Sequence, residues 1–151
     1  MIEVLDQISD EQIENEYRKR FWIKAGEVVN NSEQAAKHFA SVLSENYSRE
    51  CFVVMFLSGS NKHIATEILF KGTLTASSVY PREVIKRALE LDSAAIIVAH
   101  NHPSGNLNPS SDDRKITSRI KSACEVMDLP LHDHLIIAGK SHYSFSDHGL
   151  L

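Results

Sequence analysis

The stretch AIIVAHNHPSGNLNPSSDD, Ala95–Asp113, decides the fold. It runs from apolar residues into His100-Asn101-His102, breaks on Pro103-Ser104-Gly105, and restarts at Pro109-Ser110-Ser111-Asp112-Asp113. A short apolar run bounded by Pro, Gly and Asn reads as a strand buried on both faces. The restart reads as a helix N-terminus, because Ser110-x-x-Asp113 can satisfy the first free amides of a helix. Strand, loop and helix in that order form one unit of an α/β protein.

Side chains two apart on an extended segment point to the same side, so His100 and His102 converge if the strand end stays straight. A single histidine at a strand end is usually only a polar terminus. Asp113 alone is explained by the helix dipole, which favours an acid in the first turn. Neither account explains His-x-His followed by a carboxylate that the loop can fold back to meet it. Two imidazoles and one carboxylate suit a zinc ion and leave a fourth tetrahedral position for water, as catalytic sites do. Water held there has its pKa lowered to about 7.

Outward from this unit, CFVVMFL (Cys51–Leu57) reads as another fully buried strand, and HIATEILFKGT (His63–Thr73) as its antiparallel return after the turn Ser58–Lys62. Pro81 opens a helix with Val84, Ile85, Ala88 and Leu89 as its apolar stripe. The helix after the loop is expected from Ser111 to Met127, with Ile116, Ile120, Ala123 and Met127 inward and Arg114, Lys115, Arg119 and Lys121 outward. A hairpin, His134–Ala138 and His142–Phe145, closes the chain. Upstream, Ser9-x-x-Gln12 starts a mostly polar helix to Trp22, and a second helix is expected from Asn31 or Ser32 to about Tyr47. The expected order is α-α-β-β-α-β-α-β-β, an α/β domain with a mixed sheet flanked by helices. Residues 1–30 are taken as an N-terminal helical extension and 31–151 as the domain proper.

With 151 residues, the chain can bury one core without disulfides. Cys51 and Cys124 stand far apart and outside any C-x-x-C pair, so they read as reduced core thiols. No apolar run long enough to span a bilayer and no signal peptide is seen, which places the chain in the cytoplasm. Sixteen basic residues against twenty acidic ones give a net charge of −4, so nucleic acid is not attracted globally. The basic helix face beside the proposed site is the one local feature that could receive an acidic partner. Of the remaining histidines, His132-Asp133-His134 is assigned a structural role, with His134 a possible hydrogen-bond partner of a metal-bound imidazole. His38, His63, His142 and His148 are expected at the surface or a strand edge.

The string His100-x-His102-x7-Ser110-x2-Asp113 resembles the JAMM motif of the JAB/MPN metalloprotease superfamily. The words YPREVIKRAL, AHNHPSG, NPSSDD, DHLIIAG and FSDHGLL are similar to those of the RadC family, over roughly Ser32 to Leu151. The resemblance implies an MPN/JAB-like (cytidine deaminase-like) fold in which His100, His102 and Asp113 bind zinc and Ser110 assists the tetrahedral intermediate. It also implies a glutamate general base at the start of the first core strand, the place of Glu50. From spacing alone, Glu50 is better read as a loop charge paired with Arg49, and Glu67 and Glu83 compete for the role. The middle residue of the pair is Asn101, where deubiquitinating relatives carry Ser or Thr. The segment before Ser32 is expected to be too short and acidic for the helix-hairpin-helix-like region of longer RadC proteins, as in the short RadC-like proteins of mobile elements. The implied activity is a zinc-dependent hydrolase acting on a peptide or isopeptide bond of a protein substrate. The alternative is a DNA-associated accessory protein of a mobile element or repair pathway.

Overall fold

A computed structural model describes residues 6–44 and 47–151. Helices α1 (Asp10–Phe21) and α2 (Ser32–Leu43) precede strands β1 (Cys51–Leu57) and β2 (His63–Lys71). Helix α3 (Pro81–Glu90), strand β3 (Ala95–Asn101), helix α4 (Ser111–Val126) and strands β4 (Leu131–Ala138) and β5 (Ser141–Ser144) follow. The expected element order and α/β class are those observed. The strands form one sheet in the order β2-β1-β3-β4-β5. Only β3 and β4 run parallel, joined through α4; the other pairs are antiparallel.

All seven residues of β1 and of β3 are buried, because each strand lies inside the sheet and helices cover both faces. Alternation along the strands sorts the core into two layers. Cys51, Val53, Met55 and Leu57, with Ala95, Ile97 and Ala99, face α2 and its Phe39 and Leu43. Phe52, Val54 and Phe56, with Ile96 and Val98, face α3 and α4 through Val84, Ala88, Ile116 and Ile120. Phe39 is fully enclosed, so Phe39→Ala would open a cavity costing about 3–5 kcal/mol. The same alternation sends His100, which pairs with Phe52 across the ladder, toward α4, and sends Asn101 toward the other side.

Several boundaries differ from expectation for local reasons. Helix α2 stops at Leu43 with Ser44 as its C-cap; of the expected run to Tyr47, residues 45 and 46 lie outside the described ones. Tyr47 itself lies in a turn, its carbonyl taken by the Asn101 side chain. Strand β2 ends at Lys71 because Gly72 adopts φ +104°, a conformation that suits glycine. In α4 the inward stripe is Asp113, Ile116, Thr117, Ile120 and Cys124, and Met127 is 45% exposed; Leu129 takes the inward place beyond the helix end. Leu89 is likewise exposed, leaving Val84 and Ala88 as the buried part of α3.

Helix α1 has no buried residue. Its N-terminus carries the expected reciprocal cap between Ser9 and Gln12. It is held by side chains: Arg18 Nε donates to Ser44 Oγ at 2.9 Å, and Lys140 Nζ lies 3.6 Å from the centre of the Tyr17 ring.

His38 corrects the expectation of a surface or strand-edge position, whereas His63 falls at a strand edge as expected. His38 is fully buried and His63 is 7% exposed although it starts an edge strand. The Ile23 amide donates to His38 Nδ1 at 2.8 Å, and Thr66 Oγ1 bridges the two rings at 2.9 and 2.8 Å. Burial pushes the His38 imidazole down to about 3, with neighbouring His63 adding to the effect, and burial lowers His63 as well. Cys51 and Cys124 form no disulfide and are buried, as expected. Among the described residues no helix is long and apolar enough to cross a membrane.

Candidate metal centre

Strand β3 stays extended through Asn101, two residues beyond the apolar run that ends at Ala99, and so holds His100 near its C-terminal end. His102 follows in the loop, its amide donating to the Ile137 carbonyl at 2.9 Å. The loop turns back through Gly105, at φ +86°, and returns the chain to the start of α4. There Ser110 and Asp113 cap each other. The Asp113 amide donates to Ser110 Oγ at 3.0 Å, and the Ser110 amide donates to Asp113 Oδ2 at 2.8 Å. The capping reading of this pair is thus correct, yet it does not exhaust Asp113. Its Oδ1 lies 3.1 Å from His100 Nε2 and its Oδ2 3.1 Å from His102 Nε2, while the two Nε2 atoms are 3.0 Å apart.

These three side chains form a group able to hold a metal ion, their ligand atoms all within 4.8 Å of one another. The donor chemistry fits a cation. His102 Nδ1 lies 2.6 Å from the Asn106 carbonyl, which can only accept, so the proton sits on Nδ1 and Nε2 presents a lone pair to the cluster. A lone pair facing carboxylate oxygens at such distances needs a positive charge between them. Accordingly, the Asp113 carboxylate pulls the His102 imidazole above its ordinary value against the opposing effect of burial. Burial pushes the Asp113 carboxyl up, but the facing His100 and His102 rings, with the Ser110 amide, outweigh it and hold it well below the usual carboxylate range.

Glu50 shares the site. A cleft of about 400 Å³ is lined by Glu50, Leu74, His102, Ser104, Ser110 and Asp113 among others. Glu50 Oε2 accepts the Leu74 amide at 2.7 Å, and among the described residues Oε1 has no protein partner. Among the described residues no ion pair joins Glu50 to Arg49, and Glu50 is a half-buried loop residue. Glu67 is engaged elsewhere: Arg87 grips both its oxygens at 2.7 and 2.8 Å. Glu83 is exposed, 3.7 Å from Arg82. Ser110 Oγ, having accepted the Asp113 amide, keeps its own O–H as a donor at the cleft wall.

Asn101 is the residue whose work the sequence did not show. It is fully buried, Oδ1 accepts the Cys51 amide at 2.7 Å, and Nδ2 donates to the carbonyls of Tyr47 and Arg49 at 3.1 and 2.8 Å. All three bonds hold the segment that carries Glu50. A second support comes from the loop after β2, whose Ala76 donates to Asp112 at 3.3 Å and accepts from Arg119. Arg119 is therefore tied to that loop while staying exposed on the same face as Arg114, Lys115 and Lys121.

Two imidazoles at the end of an inner strand and a carboxylate in the next helix's first turn, on a mixed sheet between helical layers, define a JAB-type domain. Residues 29–150 match the family model of the RadC-like JAB domain, and the chain belongs to that family. It is 44% identical over 124 residues to the UPF0758 protein YfjY of Escherichia coli, covering 82% of this chain and 78% of that one. It is 45% identical to the UPF0758 protein YeeS of the same organism, over 82% of this chain and 84% of the relative. A UPF0758 protein of Janthinobacterium is 46% identical over 80% of this chain but only 54% of its own, so the chain spans about half of that longer relative.

Proposed function

We propose that the chain is a zinc-dependent hydrolase of the JAMM type that cleaves a peptide or isopeptide bond. The observation that carries this reading is the meeting of His100, His102 and Asp113, the last two lining a cleft together with Glu50. His100 and His102 would bind through Nε2 and Asp113 through its carboxylate, a set that suits zinc and stops short of the closed four-ligand shell of structural sites. Zinc there would supply a Lewis acid that makes solvent nucleophilic at neutral pH and polarises the scissile carbonyl.

The remaining chemistry belongs to the chain. Glu50 Oε1 takes the proton from the attacking water and delivers it to the leaving amine; Oε2, fixed by the Leu74 amide, keeps the carboxylate aimed into the cleft. Ser110 donates its O–H to the oxygen on which negative charge grows, while its acceptor side stays bound to the helix end. Asn101 keeps Glu50 in register with the ligand strand. A nucleic-acid role has less support, since the chain is acidic overall.

The test has two arms. Zinc content of the purified protein is measured beside that of Asp113→Ala, and zinc-loaded protein is screened against peptide and ubiquitin-like conjugate libraries with Glu50→Ala as control. Zinc in the wild type alone, with cleavage that Glu50→Ala abolishes, is the expected result. Equal zinc in both proteins removes the site; cleavage unchanged in Glu50→Ala removes the proposed base.

A further inference from the structure

His100 is held by more than its place on β3. Its Nδ1 lies 2.7 Å from His134 Nε2, and His134 Nδ1 lies 2.5 Å from Thr117 Oγ1. Thr117 in turn donates to the Asp113 carbonyl one helical turn back, at 2.7 Å. Thr117 and His134 are buried at 4% and 0% exposure, and nothing in the proposed chemistry calls on either.

The order of protons along this chain follows from valence. A carbonyl can only accept, so the single Thr117 hydroxyl proton points to Asp113, and Thr117 Oγ1 must accept from His134. His134 therefore carries hydrogen on Nδ1. The ring is wholly enclosed, stacked on Phe145 at 4.8 Å with Phe52 at its edge and no carboxylate hydrogen-bonded to it, so a second, charge-bearing proton would be buried without a hydrogen-bonded counter-charge. His134 Nε2 is then an acceptor, and the partner that must donate to it is His100 Nδ1. That leaves His100 Nε2 bare, facing Asp113 Oδ1 and His102 Nε2.

We propose that Thr117 and His134 are positioning residues that preset His100 as a metal ligand, by fixing its hydrogen on the far nitrogen before any ion arrives. An imidazole without such partners can carry its hydrogen on either nitrogen and turn about its bonds. This one is set by a hydroxyl and a second imidazole where metal-bound histidines ordinarily use a carboxylate or carbonyl. The device begins and ends on Asp113, whose carbonyl anchors the relay while its carboxylate joins the ligand group. One residue thus fixes both the position of its own oxygens and the orientation of the ring opposite. This inference rests on reading His100 as a ligand, and it adds residues that the motif spacing does not contain.

The test uses the full chain labelled with nitrogen-15, free of metal and then titrated with zinc chloride against a chromophoric chelator. Ring nitrogen shifts in the metal-free protein should show hydrogen on Nδ1 and a bare Nε2 for both His134 and His100. Thr117→Val, which keeps the shape and removes the acceptor, should lose that order at His134 and weaken zinc binding by roughly 10–100-fold. Thr117→Ser should restore both. A wild-type His100 with hydrogen on Nε2, or Thr117→Val binding zinc as tightly as the wild type, overturns the proposal. Intact proton order and zinc binding without cleavage of any peptide would count against the hydrolase reading alone and leave the relay standing.

Discussion

The protein contains two buried histidine clusters, each with a threonine hydroxyl bonded to an imidazole, and they differ in what else is present. His100, His102 and His134 gather around Thr117 and Asp113 beside an open cleft. His38 and His63 gather around Thr66 beneath the segment that leads out of α1, with an amide of Ile23 as their further partner. In the first, a carboxylate draws His102 upward; in the second, burial pushes both rings down. Imidazoles alone make a neutral packing element, and a carboxylate facing their lone pairs makes a place for a cation. One imperfection marks the packing cluster: His63 Nδ1 is buried with no hydrogen-bond partner among the described residues.

The sharpest way to break the comparison is to take the acid away. Asp113→Ala should reduce zinc affinity more than about 100-fold, beyond the loss typical of a supporting partner, as measured by chelator competition. Next, Glu50→Gln should slow any peptide cleavage by roughly 10²-fold or more while zinc content stays unchanged, which separates proton transfer from metal binding. Asn101→Ala removes all three of its buried hydrogen bonds, and urea unfolding should register a loss of about 3 kcal/mol.

The packing cluster has its own signature. The folded-state values of His38 and His63 lie below that of an unfolded histidine, so the unfolded chain binds more protons. Their contribution is complete above about pH 6.5 and is lost as pH falls toward about 3, where His38 titrates. Urea unfolding at pH 5 against pH 7 should show a loss of about 2 kcal/mol, and His38→Gln should flatten that slope. A slope unchanged by the substitution would show that other groups carry the acid sensitivity. The smallest effect is expected at Glu67→Gln, which removes a half-exposed pair with Arg87 and should cost about 0.5–1 kcal/mol in the same assay.

What was legible in the chain follows the range over which physics acts. The runs CFVVMFL and AIIVA announced buried strands because both faces of an inner strand are covered, and Pro81 and Ser110 announced helix starts because their local chemistry suffices. That His100 and His102 share a side follows from the two-residue repeat of a strand, and the JAB-type architecture followed from the words around them. The expected ends were less secure. The Tyr47 segment left helix because Asn101, 54 residues away, claims its carbonyl, and no local pattern carries that information. Met127 and Leu89 looked inward by periodicity, yet α3 and α4 cover the sheet with narrower stripes. The burial of His38, the Thr66 bridge and the placement of Thr117 under His134 depend on which elements the topology stacks. The histidine count gave no sign of which rings would meet.

The clasp made by Asn101 has a consequence for how the centre comes into being. Its bonds close across 50 to 54 residues, so the acid-bearing segment and the strand carrying the imidazoles are brought face to face only when the middle of the sheet zips together. A nascent or partly unfolded chain therefore holds scattered groups, and the three side chains able to hold a metal ion meet beside Glu50 only on completion of the architecture itself.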